Sequence, residues 1–188
     1  MDRSYLFLAD GFEEIEALTI LDIMRRAGLD VATVSINESA DVMSTHDVPV
    51  KADMTINDEQ FDNAGWYIVP GGQPGSDNLA ACSRLSKLIK QHAAEGRKIA
   101  AICAAPAVVL APLGVLKGYE ATCYPGFEDA LKAGGAKKID IPVVTDRNII
   151  TANGPGAAME LALAIVAHNQ GEQAAKTLAD ALQYNKDC

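Results

Sequence analysis

The sequence lacks the spacings by which cysteine and histidine mark a metal site or a redox pair. Its four cysteines, at 82, 103, 123 and 188, include no C-x-x-C pair and have no close histidine companion, which argues against a zinc site or a dithiol motif. The three histidines, His46, His92 and His168, are scattered, form no metal constellation by spacing, and read as surface or cap residues. Basic charge is also short: 25 acidic against 16 basic side chains leave a net charge of -9. Such a surface repels phosphate backbones and offers no basic stripe to nucleic acid. No apolar run is long enough to span a membrane. Asp2 and Arg3 lead straight into a strand-like run, so a basic region followed by an apolar leader segment is missing and a cytoplasmic address is expected, where disulfides are unfavoured. Linkers, repeats and low-complexity tracts are absent too, so residues 1–188 read as a single domain.

What is present is an alternation of buried strands and amphipathic helices. Hydrophobic residues make up 49% and charged residues 22%, the balance of an ordinary globular protein with a real core. Residues 4–9 read as a strand and Asp10-Gly11-Phe12 as its turn. From Glu13 the apolar residues recur at helical spacing up to Gly28, with acids in the first turn and bases in the last. Residues 29–36 return to strand, and 37–62 read as an insertion or edge hairpin. Trp66 to Val69 is the next strand, closed by Pro70-Gly71-Gly72, whose glycines let the backbone approach a neighbour. Ser76 opens a short helix and Ser83 caps a longer one. Residues 98–102 form a strand and 106–113 a helix, 119–124 a strand and 127–133 a short helix. Residues 141–145 with 148–152 make a hairpin or two short strands, and 156–168 and 172–184 are helices. This alternation predicts an α/β sandwich with a mostly parallel sheet, its ligand site at the carboxyl ends of the strands.

One stretch organises the rest. In Ile99-Ala100-Ala101-Ile102-Cys103-Ala104-Ala105-Pro106 an apolar strand ends on a cysteine and passes at once into a segment whose proline suits a first helical turn. That is the geometry of a nucleophile elbow, in which a sharp joint pushes the side chain out and only small neighbours such as Ala101 and Ala105 fit beside it. The reading predicts a strained backbone at Cys103 and a sulfur facing a helix N-terminus that favours thiolate. Local sequence alone equally allows a buried core cysteine. The strand-end rule brings Glu13, Glu14 and Glu16, the Gly71-Gly72 backbone and Cys103 to one edge, although acids in a first helical turn are common for the ~0.3–1 kcal/mol each contributes there.

Gly11-Phe12-Glu13-Glu14-Ile15-Glu16, Val69-Pro70-Gly71-Gly72, Ala100-Ala101-Ile102-Cys103-Ala104-Ala105-Pro106 and Asn153-Gly154-Pro155-Gly156, in that order over nearly the whole chain, resemble the ThiJ/PfpI family of the class I glutamine amidotransferase-like superfamily. The branch most resembled is that of the parkinsonism-associated deglycase and its bacterial relatives. The resemblance implies a flavodoxin-like three-layer sandwich, commonly a homodimer, with Cys103 as nucleophile. Glu16 matches the glutamate that hydrogen-bonds the sulfur, Glu13 a second pocket carboxyl, and the N–H groups of Gly72 and Ala104 an anion hole beside Gly71. A protonated Glu16 donating to a thiolate would be shifted up while Cys103 is shifted down. Two departures stand out. Ala104 replaces the histidine that follows the cysteine in protease-like branches, which argues against a peptidase, and Tyr124, preceded by Cys123, replaces a histidine of the deglycase branch at the pocket mouth. Between Cys103 and His168 there is no histidine, so a glutamine amidotransferase triad is set aside. The implied activity is cysteine-dependent conversion of a small reactive carbonyl or its early adducts, with no metal or organic cofactor. The alternative is a redox sensor in which Cys103 becomes a sulfinate.

Overall fold

The computed structural model describes residues 2–58 and 61–184. In chain order the elements are β1 (Ser4–Leu8), α1 (Glu14–Arg26), β2 (Val31–Ser35), β3 (Asp41–Met43), β4 (Pro49–Lys51), β5 (Met54–Thr55), β6 (Trp66–Val69), α2 (Gly75–Ala81), α3 (Ser83–Ala94) and β7 (Lys98–Ile102). A π-helical turn (Pro106–Leu110) follows, then β8 (Glu120–Ala121), α4 (Glu128–Ala133), β9 (Lys137–Lys138), β10 (Val143–Asp146), β11 (Ile149–Ala152), a 3₁₀ turn (Pro155–Ala157), α5 (Ala158–Gln170) and α6 (Glu172–Ala181).

The main sheet runs β10-β11-β7-β6-β1-β2-β5, parallel throughout except for the antiparallel β10–β11 hairpin. Its strands are buried on both faces because helices cover both, which is why they read as continuous apolar runs. Alternation sorts them into two cores. Leu6, Leu8, Ile68, Ala100 and Ile102 join α1, α5 and α6 in one layer, while Tyr5, Phe7, Tyr67, Val69, Ile99 and Ala101 join α3, α4 and the π-helical turn in the other. The sheet and its two helical layers make the three-layer sandwich.

Several local expectations are corrected. The helix expected over 106–113 is a π-helical turn. Pro106 lends no N–H, its carbonyl accepts from Ala111 five residues on (2.9 Å), and the turn leans back on Ala104, whose oxygen takes the N–H groups of Ala107 and Val108. The strand expected over 119–124 shrinks to β8, which pairs with β9 in a separate ribbon. Beyond it the Thr122 N–H turns to the Thr151 hydroxyl (3.0 Å) instead of a backbone carbonyl, ending the ladder. Ser83 is the first residue of α3 and supplies no cap. The edge hairpin in 37–62 is present as the separate β3–β4 pair, and β5 after it joins the main sheet beside β2 as its edge. His92, read as a surface or cap residue, is buried with its ring stacked 3.8 Å from that of Tyr67. Among the described residues no helix is long and apolar enough to cross a membrane.

Candidate active site

β1 and β6 are neighbours, and the chain runs outward from them in opposite directions, from β1 to β2 on one side and from β6 to β7 on the other. A crevice opens at such a switch point above the strand ends, and three loops meet there: those after β1, β6 and β7. Cys103 ends β7 with φ of 64°, a left-handed conformation costly for a residue with a side chain. Both of its backbone groups are pinned: the N–H donates to Ala152 O (2.9 Å) and the carbonyl accepts from Tyr124 N–H (2.8 Å). The strained elbow is therefore held by the neighbouring strand end and by the segment after β8.

Gly71 is obligatory for the same reason. A Cβ there would lie 2.5 Å from Cys103 Cβ, 2.7 Å from Glu16 Oε2 and 3.0 Å from Cys103 Sγ. Gly72, at φ of 94°, has no room either, with Glu13 N and Gly11 O each 2.4 Å from an added Cβ. The loop is locked to the start of α1, since Glu13 N–H donates to Gly71 O (3.0 Å) and Gly75 N–H to Gly11 O (3.0 Å). The N–H groups of Gly72 and Ala104 both act on the Cys103 sulfur, favouring its ionised form.

Glu16, in the first turn of α1, is wholly buried, and its Oε2 accepts from Gly71 N–H at 2.7 Å. Its carboxyl also interacts with the Cys103 thiol, although Oε1 makes no hydrogen bond of full geometry. Burial pushes this carboxyl up to about 7; the Gly71 and Cys103 hydrogen bonds oppose the shift and the charge of Glu13 adds to it. Cys103 departs from the sequence expectation. Burial first, then the charge and hydrogen bond of Glu16, push the thiol up to about 12, against the smaller help of the Gly72 and Ala104 N–H groups. The two groups titrate as a coupled pair, and burial together with the charge of ionised Glu16 holds the sulfur as thiol.

The other expected residues lie around this pair. Glu13 caps α1 through its side chain, accepting weakly from Ile15 N–H (3.4 Å), and is buried beside the crevice. Tyr124 is 44% exposed at the rim with its ring against Gly154; its backbone rather than its hydroxyl serves the elbow. Cys123 is buried in the opposite layer, and burial first, then Glu128, push it up to about 11. Cys188 lies outside the described residues. Sequence spacing missed His46: the β3–β4 hairpin carries it to the start of α1, where Nδ1 is 2.8 Å from Glu14 Oε1 and 3.8 Å from Glu13 Oε2. The groups come from positions 32 or more apart, and no local pattern signals their meeting.

A family model described as the DJ-1/PfpI family matches residues 2–168. Among curated proteins, the chain is 36% identical over 168 residues to Protein DJ-1 homolog B of Arabidopsis thaliana, covering 89% of this chain but spanning only 38% of that relative's length. It is 34% identical over 166 residues to the glutathione-independent glyoxalase DJR-1.2 of Caenorhabditis elegans, covering 88% and 87% of the two chains. Among solved structures, a cysteine-to-alanine mutant of a DJ-1 superfamily protein from Salmonella typhimurium superposes with a TM-score of 0.93 at 36% identity, covering 98% of this chain and 100% of that one.

Proposed function

The chain belongs to the DJ-1/PfpI family, and from that premise we propose that it converts a small dicarbonyl such as methylglyoxal, with water, into the corresponding hydroxy acid, without glutathione. The observation that carries this reading is the carboxyl of Glu16, wholly buried against Cys103 and pushed by burial to about 7. A group of that proton affinity both takes and returns a proton at neutral pH.

The steps follow from the geometry. Cys103 gives its proton to Glu16, and the sulfur adds to the aldehyde carbon as a hemithioacetal. On this reading the N–H groups of Gly72 and Ala104, which favour negative charge at the sulfur, are the donors for the new oxyanion. Glu16 returns its proton to that oxygen, then takes the proton of the former aldehyde carbon and delivers it to the neighbouring carbonyl carbon while the hydroxyl proton passes to the adjacent oxygen, leaving an acyl thioester on Cys103. Water cleaves it, releasing the hydroxy acid and restoring the thiol. The balance is one dicarbonyl plus one water to one hydroxy acid, with no oxidant, metal or organic cofactor. The C. elegans relative named as a glyoxalase supports the reaction class. Ala104 in place of a histidine supports excluding a peptidase dyad. A homodimer belongs to the same proposal, and sedimentation should find a particle of twice 19.8 kDa.

Lactate formation from methylglyoxal is the test. Wild type forms lactate without glutathione, Cys103→Ser does not, and Glu16→Gln loses about 10²-fold or more, because an amide cannot relay a proton. Absence of turnover in well-folded wild type overturns the reading. The donors around the sulfur also suit a second reading, in which two equivalents of peroxide convert Cys103 to a sulfinate and leave two waters. That reading expects two added oxygens on the Cys103 peptide in wild type and Glu16→Gln alike, with negligible turnover.

A further inference from the structure

We propose that Glu13, Glu14 and His46 form a binding site for a divalent cation of the zinc class at the mouth of the Cys103 crevice. One ligand atom from each residue lies within 4.8 Å of the other two. The imidazole Nδ1 stands 2.8 Å from Glu14 Oε1 and 3.8 Å from Glu13 Oε2. Ligands at ~2.0–2.2 Å from a tetrahedral zinc are roughly 3.3–3.6 Å apart, and the two edges to the imidazole, at 2.8 and 3.8 Å, bracket that value.

Two carboxylates alone would draw only diffuse counterions, but more is built here. The Glu13 side chain is 10% exposed, and its one ionic partner among the described residues is the imidazole at 3.8 Å, beyond hydrogen-bond reach. Glu14 Oε2 is sealed from solvent and makes no hydrogen bond; the Ser44 hydroxyl interacts with this carboxyl but does not satisfy that oxygen. An imidazole beside two carboxylates, one of them capping α1 through Ile15 N–H and the other with a sealed, unbonded oxygen, is a donor set for Zn²⁺ and its transition-metal neighbours, whereas Ca²⁺ and Mg²⁺ prefer oxygen alone.

The frame is fixed independently of the ligating atoms. Thr45 N–H donates to Phe12 O (2.8 Å) and Thr45 Oγ1 to Gln73 O (2.9 Å). Met43 N–H donates to Asp10 Oδ1 (2.9 Å), and Gly11 N–H to Met43 O (2.8 Å). The hairpin tip is thus fastened to the turn that starts α1 and to the glycine loop, while the His46 side chain, 67% exposed, leaves the remaining positions open to water. A cation here would offset the Glu13 charge that raises Glu16, coupling the rim to the pair below.

The experiment is calorimetric titration of the reduced, full-length protein with Zn²⁺ at neutral pH, with Co²⁺ absorption as the geometric readout and no substrate present. Its outcome does not depend on the carbonyl chemistry. One Zn²⁺ per chain is expected, with Cys103→Ser binding like wild type and with His46→Ala and Glu14→Gln each weakening affinity by about tenfold or more. Because His46 is exposed, its removal leaves the fold intact, which thermal unfolding in chelator verifies; His46→Gln, which keeps side-chain volume, should lose the tetrahedral Co²⁺ bands as well. Wild-type affinity in His46→Ala and Glu14→Gln, loss of binding in Cys103→Ser, or no saturable site in wild type would each overturn the proposal.

Discussion

At Gly71 the demands of backbone and chemistry coincide, because its missing Cβ is the space in which sulfur and carboxyl meet. Gly71→Ala places a methyl 2.5 Å from Cys103 Cβ and 2.7 Å from Glu16 Oε2, so the loop or the elbow must move. Since ~1 Å of misplacement costs about 10² in rate, dicarbonyl turnover should fall by that order or more, while circular dichroism reports an unchanged fold. Glu16 sets the state of the sulfur in the same space. With Glu16 ionised the thiol is pushed up to about 12, by burial first and then by that charge; Glu16→Gln removes the charge and keeps an acceptor for Gly71 N–H. The Cys103 titration, followed by thiolate ultraviolet absorbance, should therefore reach its midpoint at lower pH, and the thiolate population at neutral pH should rise accordingly. An unmoved or raised midpoint would mean that burial alone governs the thiol. Cys103 was legible from sequence because its position at a strand-to-turn joint is a local pattern. The direction in which its proton affinity moves was not, since it depends on a carboxylate 87 positions earlier and on how deeply the fold buries both groups.

At the scale of elements, the long segments were legible and the short ones were not. The periodic runs that became α1, α5 and α6, and the apolar runs that became β1, β6 and β7, carry enough pattern to identify themselves. The two-residue strands β5, β8 and β9 have none, and exist only because a neighbouring strand edge accepts them. Helix α3 shows the same limit at one side chain. Its polar His92 faces the sheet, donates through Nε2 to Lys98 O (3.0 Å) as a neutral ring, and stacks on Tyr67, so burial lowers it to about 4. The unfolded chain takes up this proton near 6.5 while the native state does so only near 4. Between those values the unfolded state binds more protons, and stability is lost as pH falls. The loss across that interval is up to ~3 kcal/mol. Urea midpoints measured from pH 7 down to 4 should show it in wild type, and His92→Phe, which keeps a stacked ring without the titration, should flatten the slope. An equal slope in both proteins would assign the acid sensitivity to other groups.

Across the whole molecule, the sheet decides which thiols can react and which can pair. Sequence alternation implied a parallel sheet with helices on both faces, but strand order, and hence the layer each cysteine enters, depends on long-range pairing that no local run encodes. Cys103 and Cys123 lie one backbone hydrogen bond apart, through Tyr124 N–H and Cys103 O at 2.8 Å, close enough in chain path to suggest a disulfide. Their side chains nevertheless enter opposite layers, Cys103 with α1 and α5 and Cys123 with the π-helical turn and α4. A disulfide needs Cβ atoms within ~4.5 Å whose vectors converge, and a backbone running between the layers prevents that. Mild peroxide should therefore add oxygen to Cys103 and form no Cys103–Cys123 bridge, as peptide mapping without reduction would reveal. Alkylation separates the described thiols further. Cys123 is buried and pushed up to about 11 without N–H donors at its sulfur, and Cys82 is half-buried at the start of α3. Cys103 has two such donors and a carboxyl that can take its proton as the reagent enters the crevice. Iodoacetamide at slightly alkaline pH, where Glu16 is ionised and can take the proton, should label Cys103 before Cys82 and Cys123, and faster labelling of either would mean that the elbow does not activate its sulfur.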